Sequence, residues 1–195
     1  HKKVNCLGAG NSYTNNAQNM IRVDDVWLDE ENVTATYSNQ GIPYYLPNGI
    51  HVGSTSVFKV NAGVQFVIAY DKEVNVEENA LIQVDGTANQ PVVFRGLNNE
   101  NGFWDGIDVD AERSTNGGSY LNHCQIMNAG NDFDDAALST DEETRLVLNN
   151  VTISGSDGYG MKISIPLDWD TEQYVFSNYH VSATGLNFSG CASGN

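Results

Sequence analysis

The amino-acid sequence predicts an all-β fold, a β-solenoid in which short strands stack in parallel from one turn of the chain to the next. Helical periodicity is almost absent, and Gly, Asn, Asp and Ser interrupt the apolar residues every few positions. In addition, two strand patterns recur in alternation at one shared spacing. A β-sandwich would give frequent turn signals, but it would not repeat the same six-residue pattern in phase.

The first strand pattern is a short apolar-x-apolar segment whose members begin 24, 25, 29 and 25 residues apart. Its members are residues 58–60, 82–84, 107–109, 136–138 and 161–163. The second pattern is a six-residue segment found at 121–126, 148–153 and 176–181, and 92–94 is expected to begin this series. Two alternating patterns with one period indicate that each turn supplies a strand to each of at least two sheets.

Polar residues recur at one place in the second pattern, just before an inward apolar position. They are Asn122, Asn149 and Ser177, followed by His123, Asn150 and Asn178. Stacked amides can satisfy one another and the turn backbone, so we expect a polar ladder at a turn. Residues 1–50 are less regular and are expected to form N-terminal coils or a cap, with the regular rungs over 51–195.

The composition limits the partners. The 195 residues are 40% hydrophobic, enough for one domain or a short repeat array, and 25 acidic against 9 basic residues give a formal net charge of -16. This charge repels phosphate backbones and anionic membranes, so nucleic acid is not expected as a partner. No apolar run approaches the roughly 20 residues of a membrane span, so membrane insertion is not expected either.

The three cysteines Cys6, Cys124 and Cys191 show no Cys-x-x-Cys spacing and are odd in number. They therefore indicate neither a zinc site nor a disulfide framework, although one bridge between two of them stays open. The repeat position of Cys124 predicts an inward core residue.

Several short motifs between about residues 43 and 160 together resemble a known group of proteins. They are Asn-Ala-Gly-Val at 61–64, a strand with a Gly-Thr turn at 80–87, Pro-Val-Val-Phe at 91–94 and Gly-Phe-Trp-Asp-Gly-Ile at 102–107. This series resembles bacterial secreted proteins of the pectate-lyase-like group. The resemblance implies a single-stranded right-handed parallel β-helix of about five to seven rungs of roughly 25 residues, located outside the cell or on its surface. The group contains lyases, hydrolases and adhesins, so the fold does not carry the function.

In the enzymes of that group, catalytic residues lie outward on neighbouring rungs of one sheet. The outward positions of the first pattern are Lys59, Gln83, Asp108, Ala137 and Lys162, without a repeated basic pair. A lyase needs a cation and a Lys or Arg base, for which Lys162 with Arg145 is the best candidate pair. The Gly-His-Gly and Arg-x-Lys motifs of polygalacturonase-like hydrolases do not occur in the sequence. No catalytic residue is therefore assigned.

Carboxylates are concentrated between Asp105 and Glu143, where ten of them accompany one base. The repeat register predicts that Asp85 and Asp110 stack on adjacent rungs, with Asp108 on the same face. Like charges this close favour a bound cation, so we expect a Ca²⁺ site. The predicted ligands are Asp85, Asp108 and Asp110, and a second candidate loop supplies Asp132, Asp134 and Asp135. The alternative is an acidic surface adapted to salty media.

Aromatic residues in irregular segments are candidate sugar platforms. Tyr44, Tyr45 and Trp169 are the predicted binding residues, and Trp27 and Tyr174 lie in similar segments. The alternative is that these rings cap the ends of the solenoid. Together these features predict a non-catalytic extracellular module that binds a polysaccharide or cell-surface partner or has a structural role. The alternative is a lyase-like enzyme acting on acidic polysaccharide.

Overall fold

The computed structural model describes residues 2–8, 10–112, 117–131, 135–165, 167–168, 173–174 and 180–192. Within these ranges the protein is all-β apart from one 3-10 helix at Lys2–Cys6. No helix of the described residues is long and apolar enough to cross a membrane.

The strands are short and follow one another at close intervals. They are β1 (Ile21–Arg22), β2 (Trp27–Leu28), β3 (Thr34–Tyr37), β4 (Tyr44–Leu46), β5 (Ile50–Val52), β6 (Val57–Asn61), β7 (Gln65–Ile68), β8 (Glu73–Val76), β9 (Leu81–Asp85), β10 (Val92–Gly96), β11 (Gly106–Val109), β12 (Ser119–Met127), β13 (Ala136–Thr140), β14 (Arg145–Ser154), β15 (Tyr159–Ile163), β16 (Leu167–Asp168), β17 (Gln173–Tyr174), β18 (His180–Thr184) and β19 (Asn187–Ser189).

Apart from the antiparallel pair β16 and β17, these strands form two sheets of parallel strands. The six-stranded sheet has the order β15-β13-β11-β8-β5-β2, and an eleven-stranded sheet has two arms. The first arm contains β3, β6 and β9, the second contains β1, β4, β7 and β10, and the long strands β12 and β14 run through both arms. Strands β18 and β19 add to β14 in the first and second arm respectively. Consecutive strands therefore alternate between three stacks, which are the six-stranded sheet and the two arms of the eleven-stranded sheet. This arrangement is compatible with a β-solenoid.

Left-handed backbone bends join the two arms within the long strands. His123 in β12 and Asn150 in β14 have φ values of 44° and 54°, and the ladder skips both residues. Beside this corner, the side-chain Nδ2 of Asn149 donates a hydrogen bond to Oδ1 of Asn122 at 2.9 Å. The predicted polar ladder at a turn is confirmed for this rung, whereas Ser177 and Asn178 lie outside the described residues.

The interior is lined by aliphatic and aromatic side chains from all three stacks. Phe66 and Phe94 stack with ring centroids 5.0 Å apart, and Tyr37 meets Phe66 edge-on at 5.1 Å. Cys124 is buried as predicted, and burial raises the pKa of its thiol. Tyr44 is also a core residue, only 1% exposed. The predicted exposed ring at this position is therefore wrong, because the alternation along β4 turns Tyr44 inward and Tyr45 outward.

The N-terminal segment continues the same stacks. Strands β1, β2 and β3 pair with β4, β5 and β6 respectively. Beyond β3, the side chain of Asn5 donates to the carbonyl of Thr34 and accepts from the amide of Thr36. Asn5 therefore caps the outer edge of β3 in the way a neighbouring strand would.

The predicted register is correct between the segments 121–126 and 148–153 of the second pattern and wrong for the first pattern. Leu121 pairs with Leu148, as the second pattern predicted, and Val92, in the segment expected to begin that series, pairs with Cys124. The first pattern, however, combines the two sheets: its members at 58–60 and 82–84 pair in the eleven-stranded sheet, whereas 107–109 lies in the six-stranded sheet. Further along, Ile107 pairs with Leu138 rather than Ala136. Both sheets use the apolar-x-apolar pattern, so the pattern alone does not separate them.

The last turn is longer than the second pattern predicted. Val181 pairs with Leu146, whereas Ile153 pairs with Phe188, so the predicted match of Val181 with Ile153 is wrong. The antiparallel pair β16 and β17 lies in this connection and lengthens it.

The left-handed corner gives a stability prediction. Asn150→Val is expected to lower the free energy of unfolding by about 1–2 kcal/mol, because a β-branched residue is poorly accommodated at positive φ. Asn150→Gly is expected to change it by less than about 0.5 kcal/mol, since glycine adopts this conformation freely. Urea unfolding measures both. Thr152→Val in the same strand, whose backbone is not left-handed, is the matched control. Equal effects of valine at 150 and 152 would contradict the role of the bend.

Candidate binding face

The outward face of the six-stranded sheet carries a line of polar side chains, one from each of five successive strands. Their Cα atoms are direct register partners across the sheet. This polar row consists of His51, Asn75, Asp108, Ser139 and Lys162. Inward residues of the same strands, such as Val52, Val76 and Val109, are buried. The polar row therefore follows directly from the period of two along each strand and the parallel register between strands.

Hydrogen bonds hold parts of this row. Ser139 Oγ donates to Asp108 Oδ1 at 2.7 Å, and Ser139 is only 6% exposed. At the other end, His51 Nε2 lies 2.6 Å from Oε1 of Glu77. Between them, Oδ1 of Asn75 is buried and has no hydrogen-bond partner among the described residues. The row therefore combines fixed groups with one buried acceptor whose hydrogen bond is not made by the described residues.

Trp27 extends the row by one strand. It is the register partner of His51, and the two ring centroids are 4.2 Å apart with an interplanar angle of 59°. The indole is 56% exposed. An aromatic ring thus stands at one end of a line of hydrogen-bonding side chains, a common composition for a sugar-binding surface.

An acidic cleft borders the row where the strands of the six-stranded sheet end. Its volume is about 560 Å³. The carboxylates that line it are Asp29, Glu77, Glu78, Asp110, Glu112 and Asp141. Glu77 belongs to both features, because it lines the cleft and contacts His51.

The carboxylates of the acidic cleft repel one another. Burial and the charges of Glu143, Glu78 and Asp141 raise the pKa of Glu112, and Arg145 offsets part of this effect. This region therefore carries concentrated negative charge at neutral pH, and it disfavours anionic ligands.

The predicted Ca²⁺ ligands are not brought together by the structure. Asp85 ends β9 in the eleven-stranded sheet, where it pairs with Asn61 and Asn122. Asp108 faces Ser139 in the six-stranded sheet, and Asp110 lines the acidic cleft. The predicted stacking of Asp85 on Asp110 is therefore wrong, because it depended on the register that joined the two sheets.

Asp85 has structural partners instead. The hydroxyl of Tyr120 donates to Asp85 Oδ1 at 2.9 Å, and Lys59 Nζ lies 3.5 Å from Oδ2. Burial, together with the hydrogen bond and charge of Asp85, raises the pKa of Tyr120 to about 12, so Tyr120 remains a donor.

The second predicted metal loop is described only in part. Asp132 and Asp134 lie outside the described residues, and Asp135 is exposed immediately before β13. Among the residues that the structure does describe, no group of three or more His, Cys, Asp or Glu side chains is arranged to hold a metal ion.

The predicted sugar-binding aromatics have different locations. Tyr44 is in the core, where its hydroxyl donates to the carbonyl of Ser38 at 2.8 Å. Tyr45 is half-buried on the second arm, with the Arg22 guanidinium 5.9 Å from its ring centroid. Trp169 lies outside the described residues. Neither described tyrosine belongs to the polar row.

Sequence reasoning found two members of the polar row and missed three. Asp108 and Lys162 were among the predicted outward residues, but Lys59 and Gln83 lie on the other sheet, and Ala137 is buried. His51, Asn75 and Ser139 were missed. The segments Ile50–Val52 and 74–76 carry the same apolar-x-apolar signal and would have located the first two. Of the two basic residues predicted as lyase candidates, Lys162 lies in the polar row, whereas Arg145 begins β14 in the other sheet.

The acidic cleft gives a pH prediction. The raised pKa means that folded Glu112 binds a proton more readily than the unfolded chain does. The charged form therefore costs stability above that pKa, and the cost disappears below the ordinary value of 4.5. We expect Glu112→Gln to raise the free energy of unfolding at neutral pH by less than about 1 kcal/mol, and the gain to vanish on acidification.

Urea unfolding over a pH series measures this difference. Glu100→Gln, in an exposed turn that does not line the cleft, is the control and should show no comparable gain. A gain for Glu112→Gln that persists in acid would contradict the electrostatic explanation.

No family model, curated protein or solved structure matches this chain. The resemblance to the pectate-lyase-like group therefore remains a prediction from the sequence motifs. The function has to be argued from the polar row, Trp27 and the acidic cleft.

Proposed function

We propose that this chain is a non-catalytic, extracellular or surface-displayed module that binds a glycan along the polar row. The observation that carries the proposal is the alignment of five hydrogen-bonding side chains from five successive strands, with an exposed tryptophan at one end. Neighbouring strands are about 4.8 Å apart, so the row repeats donors and acceptors at short, regular intervals. A linear sugar chain also presents its hydroxyl groups at regular intervals.

The architecture that we propose for the module is a right-handed parallel β-helix of about five to seven rungs. Parallel strands connected through a crossover are almost always right-handed, because right-twisted strands pack back onto the sheet only in that sense. The parallel pairing of β5, β8, β11 and β13 supports this architecture. A stack of this kind makes one long outward face available to a polymer.

The charges of the binding face favour a ligand that is not strongly anionic. Glu77 and Asp108 lie at the row, and the acidic cleft adds Asp110 and Glu112 beside it. A uronate-rich polymer would be repelled along its length. Neutral sugars instead need only the hydrogen-bonding groups and an aromatic surface.

Glycan binding can be tested in the middle of the row. Asn75→Ala removes a half-buried amide from the face and is expected to weaken binding of a neutral polysaccharide about fivefold to tenfold, since one hydrogen bond contributes roughly 1 kcal/mol. Titration calorimetry with soluble neutral polysaccharides measures the affinity.

The matched control is Gln125→Ala, which removes a half-buried amide from β12 on the second arm. It should leave the affinity unchanged. If the wild-type protein binds no glycan, or if both variants weaken binding equally, the polar row is not a glycan site.

A lyase-like activity on acidic polysaccharide is a second candidate. It is favoured by one observation: Asp108 and Lys162 lie on the same outward face, on either side of Ser139. Lys162 could act as the base that a lyase requires, although the neighbouring carboxylates oppose a uronate substrate.

This candidate is tested by incubation with pectate and alginate, read by the ultraviolet absorbance of the unsaturated ends that a lyase produces. Because the face repels uronates, we expect no increase in absorbance with either polymer. An increase that Lys162→Met abolishes would overturn the non-catalytic proposal and identify the base. An increase that survives in Lys162→Met would also overturn it, with a different base.

A further inference from the structure

We propose that Trp27 is the stacking subsite of this face, and that it selects neutral sugars of the all-equatorial hexopyranose type, as in β-linked glucose chains. This inference rests on the proposed glycan binding and names the ligand class for one end of the polar row. Three residues from adjacent turns, Trp27, His51 and Glu77, carry it.

The exposure of Trp27 is the first observation. It is 56% exposed, whereas Trp104 is fully buried, with its indole nitrogen hydrogen-bonded to the carbonyl of Met127. A tryptophan buries a large apolar area when it packs, so leaving more than half of one in water gives up a substantial contribution to folding. The neighbouring residue Leu28 is buried in the core, so the strand itself is well packed.

The fixed position of the indole is the second observation. Its ring lies 4.2 Å from the imidazole of His51, and His51 Nε2 lies 2.6 Å from Glu77 Oε1. Glu77 thus orients His51, and His51 supports Trp27 from the adjacent strand. We assign Glu77 as a positioning residue, since it acts on the subsite through His51. An indole held in this way loses little conformational freedom when a ligand binds.

The chemistry of the ring and its surroundings defines the ligand. A hexopyranose with equatorial hydroxyls exposes axial C–H groups on both ring faces, whereas an axial hydroxyl leaves only the opposite face free to pack on an aromatic ring. The acidic residues Asp25 and Glu30 flank Trp27 in sequence and are exposed, and Glu77 adds a further carboxylate, whereas Asp24 is paired with Arg22 at 2.6 Å. Their charge disfavours a uronate at this position, so the subsite suits a neutral sugar.

The experiment compares soluble β-1,4-linked glucose oligosaccharides, a galactose-type oligosaccharide with an axial hydroxyl, and polygalacturonate. Affinities are measured by titration calorimetry for the full chain. We expect the glucose oligosaccharide to bind most tightly. Trp27→Ala should weaken that binding about tenfold and Trp27→Phe less, because phenylalanine keeps a smaller stacking surface.

The matched control is Tyr70→Ala, since Tyr70 is 62% exposed but lies in the turn between β7 and β8. Its affinity should stay within about twofold of the wild-type value. Thermal melting checks that the variants fold. Trp27 contributes an exposed ring, so folding should persist in Trp27→Ala.

A double-mutant cycle tests the positioning role of Glu77. Glu77→Gln should weaken binding in the wild-type background but have little effect in the Trp27→Ala background, since it acts through the indole. Equal losses in both backgrounds would overturn this role.

The outcomes separate the inference from the proposed function. Glucose-chain binding that depends on Asn75 but not on Trp27 would overturn the stacking subsite and leave the proposed function standing. Binding that depends on Trp27 but favours the galactose-type or uronate ligand would overturn the assigned sugar class alone. The absence of any glycan binding by the wild-type protein would overturn both.

Discussion

The structure depends on parallel backbone pairing between strands that are one turn apart. Because this pairing fixes register, a side chain on one turn lies directly over its counterpart on the next. Phe66 and Phe94 are partners in this sense and stack in the core. The same constraint applies to the outward face, where it aligns His51, Asn75 and Asp108. Core packing and the candidate binding face therefore have a single physical cause.

The bends at His123 and Asn150 connect two sides of the core within single strands. They allow one long strand to serve two arms of the same sheet, so β12 and β14 cover two sides of the core without a loop between them. The hydrogen bond that the side-chain amide of Asn149 donates to Asn122 stabilises the corner on the outside. The six-stranded sheet has no such continuous connection and is bordered by turns. Those turns carry the acidic cleft, so its residues lie beside the polar row without taking part in the stack.

The sequence predicted the all-β, parallel character of the fold because the repeat is a direct consequence of stacking. The six-residue pattern was informative because it spans a corner: Leu121 and Ile126 face the core from two different arms, and this spacing recurs at Leu148 and Ile153. The three-residue pattern carried too little information to assign a sheet. The wrong register of this pattern placed Asp85 over Asp110, and it therefore predicted a metal site that the structure does not assemble. The prediction that Tyr44 binds sugar was wrong for another reason. Its segment looks irregular in sequence, but it folds as a strand with strict alternation, which turns Tyr44 inward.

Glu77 connects the two features on which the proposed ligand choice depends. Its side chain contacts His51 in the polar row, and it also contributes charge to the acidic cleft. Specificity can arise from repulsion as well as from attraction, and the negative charge along one border of this face disfavours anionic polymers. The contacts that remain are hydrogen bonds to hydroxyls and the apolar surface of Trp27. A neutral sugar chain satisfies both requirements, whereas a charged one satisfies the hydrogen bonds only by bringing its own charge against these carboxylates.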